Sequence, residues 1–282
     1  MYFLLRHPVT KRIGTIILAA LVIIGIAGCS LPKPKLTIYS FSTGASDAFL
    51  VTTENSAILI DCASKGDGKQ IVNYMEKHSI DRLDYLIISH SDKDHIGGAK
   101  KVISSLSIDH VLQPAYAKES EAYDSYMAAL SDAGIEAETI TEDLYFELDG
   151  VKYWINPPAG GYQSNESNNA SLIVSVTYGK DRLLFMGDAE NERISEFLNL
   201  NPGPYDVLKV PHHGRSGKMS SSLISSVKPA IAIITSSDNE PEGEKVVNWL
   251  SQAGSEVFLT RKGPVIVEST GSGVRAFYKT EN

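Results

Sequence analysis

Apolar residues in this chain come in short runs, and most runs end on a polar side chain or a turn residue. KLTIYSF (35–41), AFLVTT (48–53) and AILID (57–61) read as strands of the first half. GKQIVNYMEKHSI (68–80) carries Ile71, Val72, Met75 and Ile80 at helical spacing. LDYLIIS (83–89) is nearly all apolar, the pattern of a strand covered on both faces. Helical patterns resume at GGAKKVISSL (97–106) and at ESEAYDSYMAALSDAG (119–134), with Gly134 as the stop. Strands follow at VKYWINP (151–157), ASLIVSVTY (170–178) and DRLLFMG (181–187), then a helix at ENERISEFLN (190–199). YDVLKVP (205–211) and AIAIITSS (230–237) read as strands and GEKVVNWLSQAG (243–254) as a helix. EVFLTR (256–261), PVIVES (264–269) and VRAFYK (274–279) close the chain as strands. Alternation of this kind predicts mixed sheets with helices outside, a layered α/β body.

The first 29 residues follow another pattern. Arg6, Lys11 and Arg12 precede IGTIILAALVIIGIAGC (13–29), an unbroken apolar and small-residue run. A basic start, an apolar stretch and a small-residue end make an export signal. The ending IAGC resembles the lipobox of bacterial lipoproteins. That resemblance implies a signal peptide over 1–28, removed to leave Cys29 lipidated as the first mature residue. The alternative is an uncleaved N-terminal anchor, for which the run is short against the ~20 residues of a span. Either reading puts the remainder at the extracytoplasmic face of a cell membrane. SLPKPK (30–35), with two prolines, reads as an extended spacer, and residues 36–282 as one domain.

Composition narrows the partners. Hydrophobic residues at 43% and charged residues at 21% are ordinary for a globular chain. The formal charge of -8 becomes -11 once the three cations of residues 1–28 are gone. Such acidity argues against broad charge-driven binding to nucleic acid, while leaving room for a local basic patch. After Cys29 the sole cysteine is Cys62, so there is no internal disulfide, and Cys62 reads as a small core residue.

Candidate chemistry concentrates at strand ends. LDYLIIS runs into SHSDKDHIGG (89–98), where His90, Asp92, Asp94 and His95 can each bind a metal ion. RLLFMG runs into Asp188, which can also cap the following helix, and YDVLKVP runs into His212 and His213. Neighbouring strands bring such ends to one rim of a sheet. Asp61 ends its own strand and can orient a ligating histidine from behind. Asp47 reads as a supporting residue that hydrogen-bonds its loop. The loop GRSGKMSSS (214–222) offers backbone N–H groups and Lys218 to an anion, or is an ordinary flexible loop.

The order HxDxDHxGG, a strand followed by GD, then VPHHG resembles the metallo-β-lactamase superfamily. Within it, the extracellular hydrolase domain of the ComEC DNA-uptake proteins is the nearest match. STGASDAFLV (42–51), AILIDCAS (57–64), SNNASLIVSV (167–176), RLLFMGDAE (182–190), LKVPHHGRSGKMSSS (208–222) and LTRKGPVIV (259–267) carry the likeness. It implies an αββα sandwich with a centre of one or two divalent ions, zinc or manganese, at one sheet edge. Asp94, His95, bridging Asp188 and His213 would form one site, with His213 preferred over His212; His90 and Asp92 would contribute to the other. Asp94 and Asp188 would also be catalytic, and Lys218 would hold substrate oxygens. Two ions about 3.5–4 Å apart activate a shared water and clamp the charge of hydrolysis.

Departures from the family pattern matter. Many members have His where this chain has Asp92, but the ComEC-like branch also has Asp. The mid-chain histidine of many members is missing from SNESNNASL, where Asn168 or Asn169 would stand in as a weaker ligand. The Gly-His-Pro loop of the branch is replaced by DNEPEGE (238–244). The implied activity is phosphodiester hydrolysis, on DNA or on a cell-envelope polymer. Two alternatives are hydrolysis of an ester, lactone or β-lactam, and a metal-containing binding module with little catalysis.

Overall fold

Side chains that alternate along each strand sort into two different cores, which fixes the layering. The computed structural model describes residues 36–116, 118–160 and 166–280, all within one compact unit, 34–282. The signal peptide expected over 1–28, Cys29 and the spacer lie outside the described residues. Among the described residues no helix is long and apolar enough to cross a membrane.

In chain order the strands are β1 (Leu36–Ser40), β2 (Phe49–Thr52), β3 (Ala57–Ile60), β4 (Arg82–Ile87), β5 (Ser107–Pro114), β6 (Ala137–Ile140), β7 (Leu144–Leu148), β8 (Val151–Asn156), β9 (Ile173–Tyr178), β10 (Asp181–Phe185), β11 (Val207–Lys209), β12 (Ile231–Ile234), β13 (Glu256–Leu259), β14 (Val265–Ser269) and β15 (Val274–Tyr278). The helices are α1 (Gly68–Lys77), α2 (Lys93–Ile96), α3 (Ala99–Ile103), α4 (Glu121–Ala133), α5 (Asn191–Asn199), α6 (Ser220–Val227) and α7 (Glu244–Gln252). One sheet has the order β15-β14-β1-β2-β3-β4-β5-β6 and the other β13-β12-β11-β10-β9-β8-β7.

Between the sheets lie Ile38, Val51, Ile58 and Ile60 from one side and Val174, Val176, Leu183 and Phe185 from the other. The intervening residues Leu50 and Leu59 face outward against Ile71, Val72 and Met75 of α1, Val102 of α3 and Tyr126 of α4. Leu184 and Leu208 face Ile194 of α5, Leu223 of α6 and Leu250 of α7 on the opposite side. Each buried aliphatic side chain contributes roughly 1.5–3 kcal/mol. The result is the expected αββα sandwich. Gly134 caps α4 in the left-handed conformation at φ 67°.

Some elements were not evident from the pattern. β5 has no counterpart in the sequence reading, since Asp109 and His110 interrupt its apolar run, yet it pairs parallel to β4 across Leu86 and Val111. The loop read at 214–222 gives way at Ser220 to α6, which forms because Leu223, Ile224 and Val227 are buried in the outer core of the second sheet.

Candidate metal centre

Strand direction explains why distant residues meet. β3 and β4 are parallel, so Asp61 and Ser89–His95 leave the first sheet at the same end. β2 is antiparallel to β3, which puts Asp47, just before it, at that end too. In the second sheet β10, β11 and β12 are parallel, with Phe185 opposite Lys209 and Lys209 opposite Ile233. Asp188, Lys209 to His213, and Thr235 therefore share one rim.

The loop carrying the first ligands is held tightly. Cys62 N–H donates to His95 O, Asp47 N–H to Asp94 O, and Gly98 N–H to Ala63 O. A Cβ on Gly97 would lie 2.3 Å from Lys93 O and one on Gly98 2.2 Å from Cys62 O, so only glycine allows this approach. On the other rim, His212 and His213 have φ of 50° and 52°. Two adjacent non-glycine residues in the left-handed region cost roughly 1–2 kcal/mol each, and the strain turns His213 back into the cleft.

Four side chains converge: Asp94, His95, Asp188 and His213 each offer a ligand atom, all within 4.8 Å of one another. His213 Nε2 lies 3.0 Å from Asp188 Oδ2 and 3.3 Å from Asp94 Oδ2. His95 Nε2 lies 3.3 Å from Asp188 Oδ1. The far side of each imidazole is engaged. His95 Nδ1 is 2.8 Å from Asp61 Oδ2, which also accepts from Ser89 Oγ. His213 Nδ1 is 2.9 Å from Thr235 Oγ1, whose hydrogen goes to Asp47 Oδ1 at 2.7 Å. Both Nδ1 atoms are then donors, and in the neutral rings Nε2 carries the lone pair.

Those lone pairs face carboxylates, an arrangement that calls for a cation between them. His90 Nε2, Asp92 Oδ1, His95 Nε2 and His213 Nε2 are buried and make no hydrogen bond among the described residues. Buried polar atoms are rarely left so, and two imidazoles with two carboxylates fit a divalent metal ion. With no ion, protons serve instead. Burial works to lower the His213 pKa, but Asp188 and Asp94 beside it outweigh burial and raise it to about 9. His95 is likewise opposed by burial yet raised well above the usual histidine range by Asp188, Asp61 and Asp47. Burial would raise Asp94 and Asp188, but the histidines beside both, with Lys209 beside Asp188, hold each below the usual carboxylate range. His90, buried and next to His95, drops to about 4.

Lys209, in the middle of the site, was missed in the sequence. Lys209 is 1% exposed, ion-paired with Asp47 and 3.4 Å from Asp188 Oδ1, and it donates to Gly187 O at 2.8 Å. A lysine within an otherwise apolar strand, VLKV, was the available signal. Asp47 is thus a counter-ion of Lys209 as well as a loop anchor, and Asp61 holds the His95 ring from behind.

His212, the two asparagines and Lys218 stand elsewhere. His212 points to Glu190, 3.1 Å from Nδ1, and its Nε2 lies 3.0 Å from Arg215, because the left-handed turn sends adjacent side chains apart. Asn168 donates through Nδ2 to Glu190 at 3.0 Å, and Asn169 Oδ1 accepts from Glu190 N–H and Arg193 N–H. Both asparagines pin the start of α5. Lys218 is exposed on the turn before α6 and forms no hydrogen bond or ion pair with the cluster. Cys62 is fully buried in the core, outside the ligand groups.

The family model described as the metallo-β-lactamase superfamily matches residues 42–235. The chain belongs to that superfamily. Recombination protein 2 of Haemophilus influenzae is 29% identical over 211 residues, covering 73% of this chain and 25% of that protein. ComE operon protein 3 of Bacillus subtilis is 26% identical over 202 residues, covering 70% of this chain and 26% of that protein. The chain thus spans about a quarter of the length of these relatives. Among solved structures, the metallo-β-lactamase fold protein YhfI from Bacillus subtilis superposes with a TM-score of 0.57 at 14% identity. That superposition covers 84% of this chain and all of YhfI, and it shows the superfamily fold.

Proposed function

We propose that this superfamily member is a metal-dependent hydrolase of phosphodiester bonds, held at the extracytoplasmic face of a membrane by a lipid on Cys29. The observation that carries the hydrolase reading is the set of four buried ligand atoms on His90, Asp92, His95 and His213 that make no hydrogen bond among the described residues. Asp94, His95, Asp188 and His213 would hold a divalent ion, zinc or manganese. Bound there, the ion would supply Lewis acidity, lowering the pKa of a water and neutralising the charge that builds on the substrate.

The chain's own residues fix the geometry. Asp61 and Thr235 hold the His95 and His213 rings with Nε2 toward the carboxylates. Lys209 ties Asp188 to Asp47, so the Asp188 carboxylate is charged and immobile when substrate arrives. Such fixed groups need no reorganisation during the reaction.

Phosphodiester substrates are favoured by Asp92 at the position where the ComEC-like branch also carries Asp. The relatives' names, which speak of recombination and the ComE operon, support a nucleic-acid substrate. A cell-envelope polymer with phosphodiester links has the same chemistry.

The test is turnover by the purified full-length chain, loaded with manganese, of a chromogenic phosphodiester and of a chromogenic carboxylic ester. Metal-dependent cleavage of the phosphodiester, lost in Asp94→Ala, is expected. Cleavage of the ester alone would replace the proposal with an ester or lactone hydrolase. Tight metal binding with turnover of neither would make the chain a binding module.

A further inference from the structure

The mid-chain asparagines give the His90–Asp92 pair no further donor, so a second ion there would have to share Asp188 with the first. Asn169 Oδ1 already accepts two backbone N–H groups, and its Nδ2 donates to Glu192. Asn168 is drawn to Glu190. Asp188 gives Oδ2 to His213 and sets Oδ1 between His95 and Lys209. What does face Asp92 is a cation of the chain itself. Lys118 Nζ lies 3.4 Å from Asp92 Oδ1, at an angle that makes no hydrogen bond, and Oδ1 makes no hydrogen bond to any described residue. Lys118 is set there by its backbone, since its N–H donates to Ser91 Oγ at 2.6 Å. Its side chain is 47% exposed, so it can leave toward solvent without disturbing a core.

We propose that Lys118 is the resident cation of the His90–Asp92 position, and that a second divalent ion enters only in competition with it. The inference rests on the metal-centre reading above and deepens it. The Asp94–His95–Asp188–His213 set takes one ion with four protein donors. The second position offers His90 Nε2 and Asp92 Oδ1, and an ion arriving there must displace an ammonium group from the carboxylate. Repulsion between a lysine and an incoming ion a few ångströms apart lowers affinity even when partly screened by solvent. The chain would therefore work with a single tightly held ion, its second ion weak and its occupancy set by a loop residue.

The test is titration of the metal-free, full-length chain with manganese, followed by calorimetry and by counting bound ions after dialysis. Wild type is expected to take one ion tightly and a second at least about tenfold more weakly. Lys118→Met should strengthen the second event about tenfold and leave the first within about twofold, while Lys118→Arg should behave as wild type. Asp92→Asn should abolish the second event only. Two equal tight ions in wild type, or a second event unchanged in Lys118→Met, would overturn the proposal. A wild type with no tight ion would overturn the metal-centre reading itself and this inference with it.

Discussion

The Asp94–His95–Asp188–His213 set and the His90–Asp92 pair share one cleft but are built to different standards. In the first, Asp61, Thr235 and Lys209 hold His95, His213 and Asp188 from behind, and the backbone of His213 is strained into place. In the second, His90 leans on Ser89 Oγ at 3.1 Å and Asp92 faces a half-exposed lysine. The difference teaches that supporting groups, more than ligand types, distinguish a strong site from a weak one. His and Asp occur in both.

The sharpest way to break the comparison is to remove a ligand of the stronger set. Asp188→Ala should abolish tight ion binding and activity together, read by calorimetry and turnover. Lys209→Met should come next, because it leaves Asp47 and Asp188 buried without their common cation. Breaking a buried pair costs about 3–5 kcal/mol, so the unfolding midpoint should fall by many degrees in a thermal melt. Asp61→Asn should weaken the tight ion by about 10–100-fold, since a partner behind a ligating histidine contributes that much. A loss of less than twofold would mean that Asp61 merely fills space.

Proton competition separates the two regions by pH. In metal-free protein His213 is raised to about 9, above an unfolded value near 6.5. Its contribution to stability is therefore fully present below about pH 6.5 and is lost as pH rises through about 9. Ion binding must displace that proton, so tight-site affinity should climb by about tenfold per pH unit for each proton displaced over this interval. His90, lowered to about 4, should add no such dependence above pH 6. The smallest expected effect is from His212→Ala, which should leave tight-ion affinity within about twofold, since His212 engages Glu190 and Arg215 instead.

Much of this was legible in the sequence because the early ligands are contiguous. SHSDKDHIGG follows an apolar strand, and its glycines announce the close approach to the Cys62–Ala63 backbone. Asp188 and His213 were readable as polar residues at strand ends. Lys209 was not, because its partner Asp47 is far away in sequence and one lysine in VLKV looks like an edge residue. Lys118 was obscured because β5, which carries the chain toward it, has the mixed pattern SIDHVLQP. Choosing Lys218 from the Gly/Ser-rich loop favoured composition over topology: Ser220–Val227 is helix α6, and Lys218 faces solvent. The choice between His212 and His213 depended on a left-handed turn that no residue type specifies; the VPHHG match favoured His213, the one the turn brings beside Asp94 and Asp188.

X-ray absorption at the zinc edge, on full-length protein with one equivalent of zinc, tests the central claim most directly. The account predicts two imidazole nitrogens and two carboxylate oxygens from the protein at about 2.0–2.2 Å, with both imidazoles remaining in His90→Ala. A shell of three imidazoles, or loss of one in His90→Ala, would contradict the claim that Asp94, His95, Asp188 and His213 form the primary site.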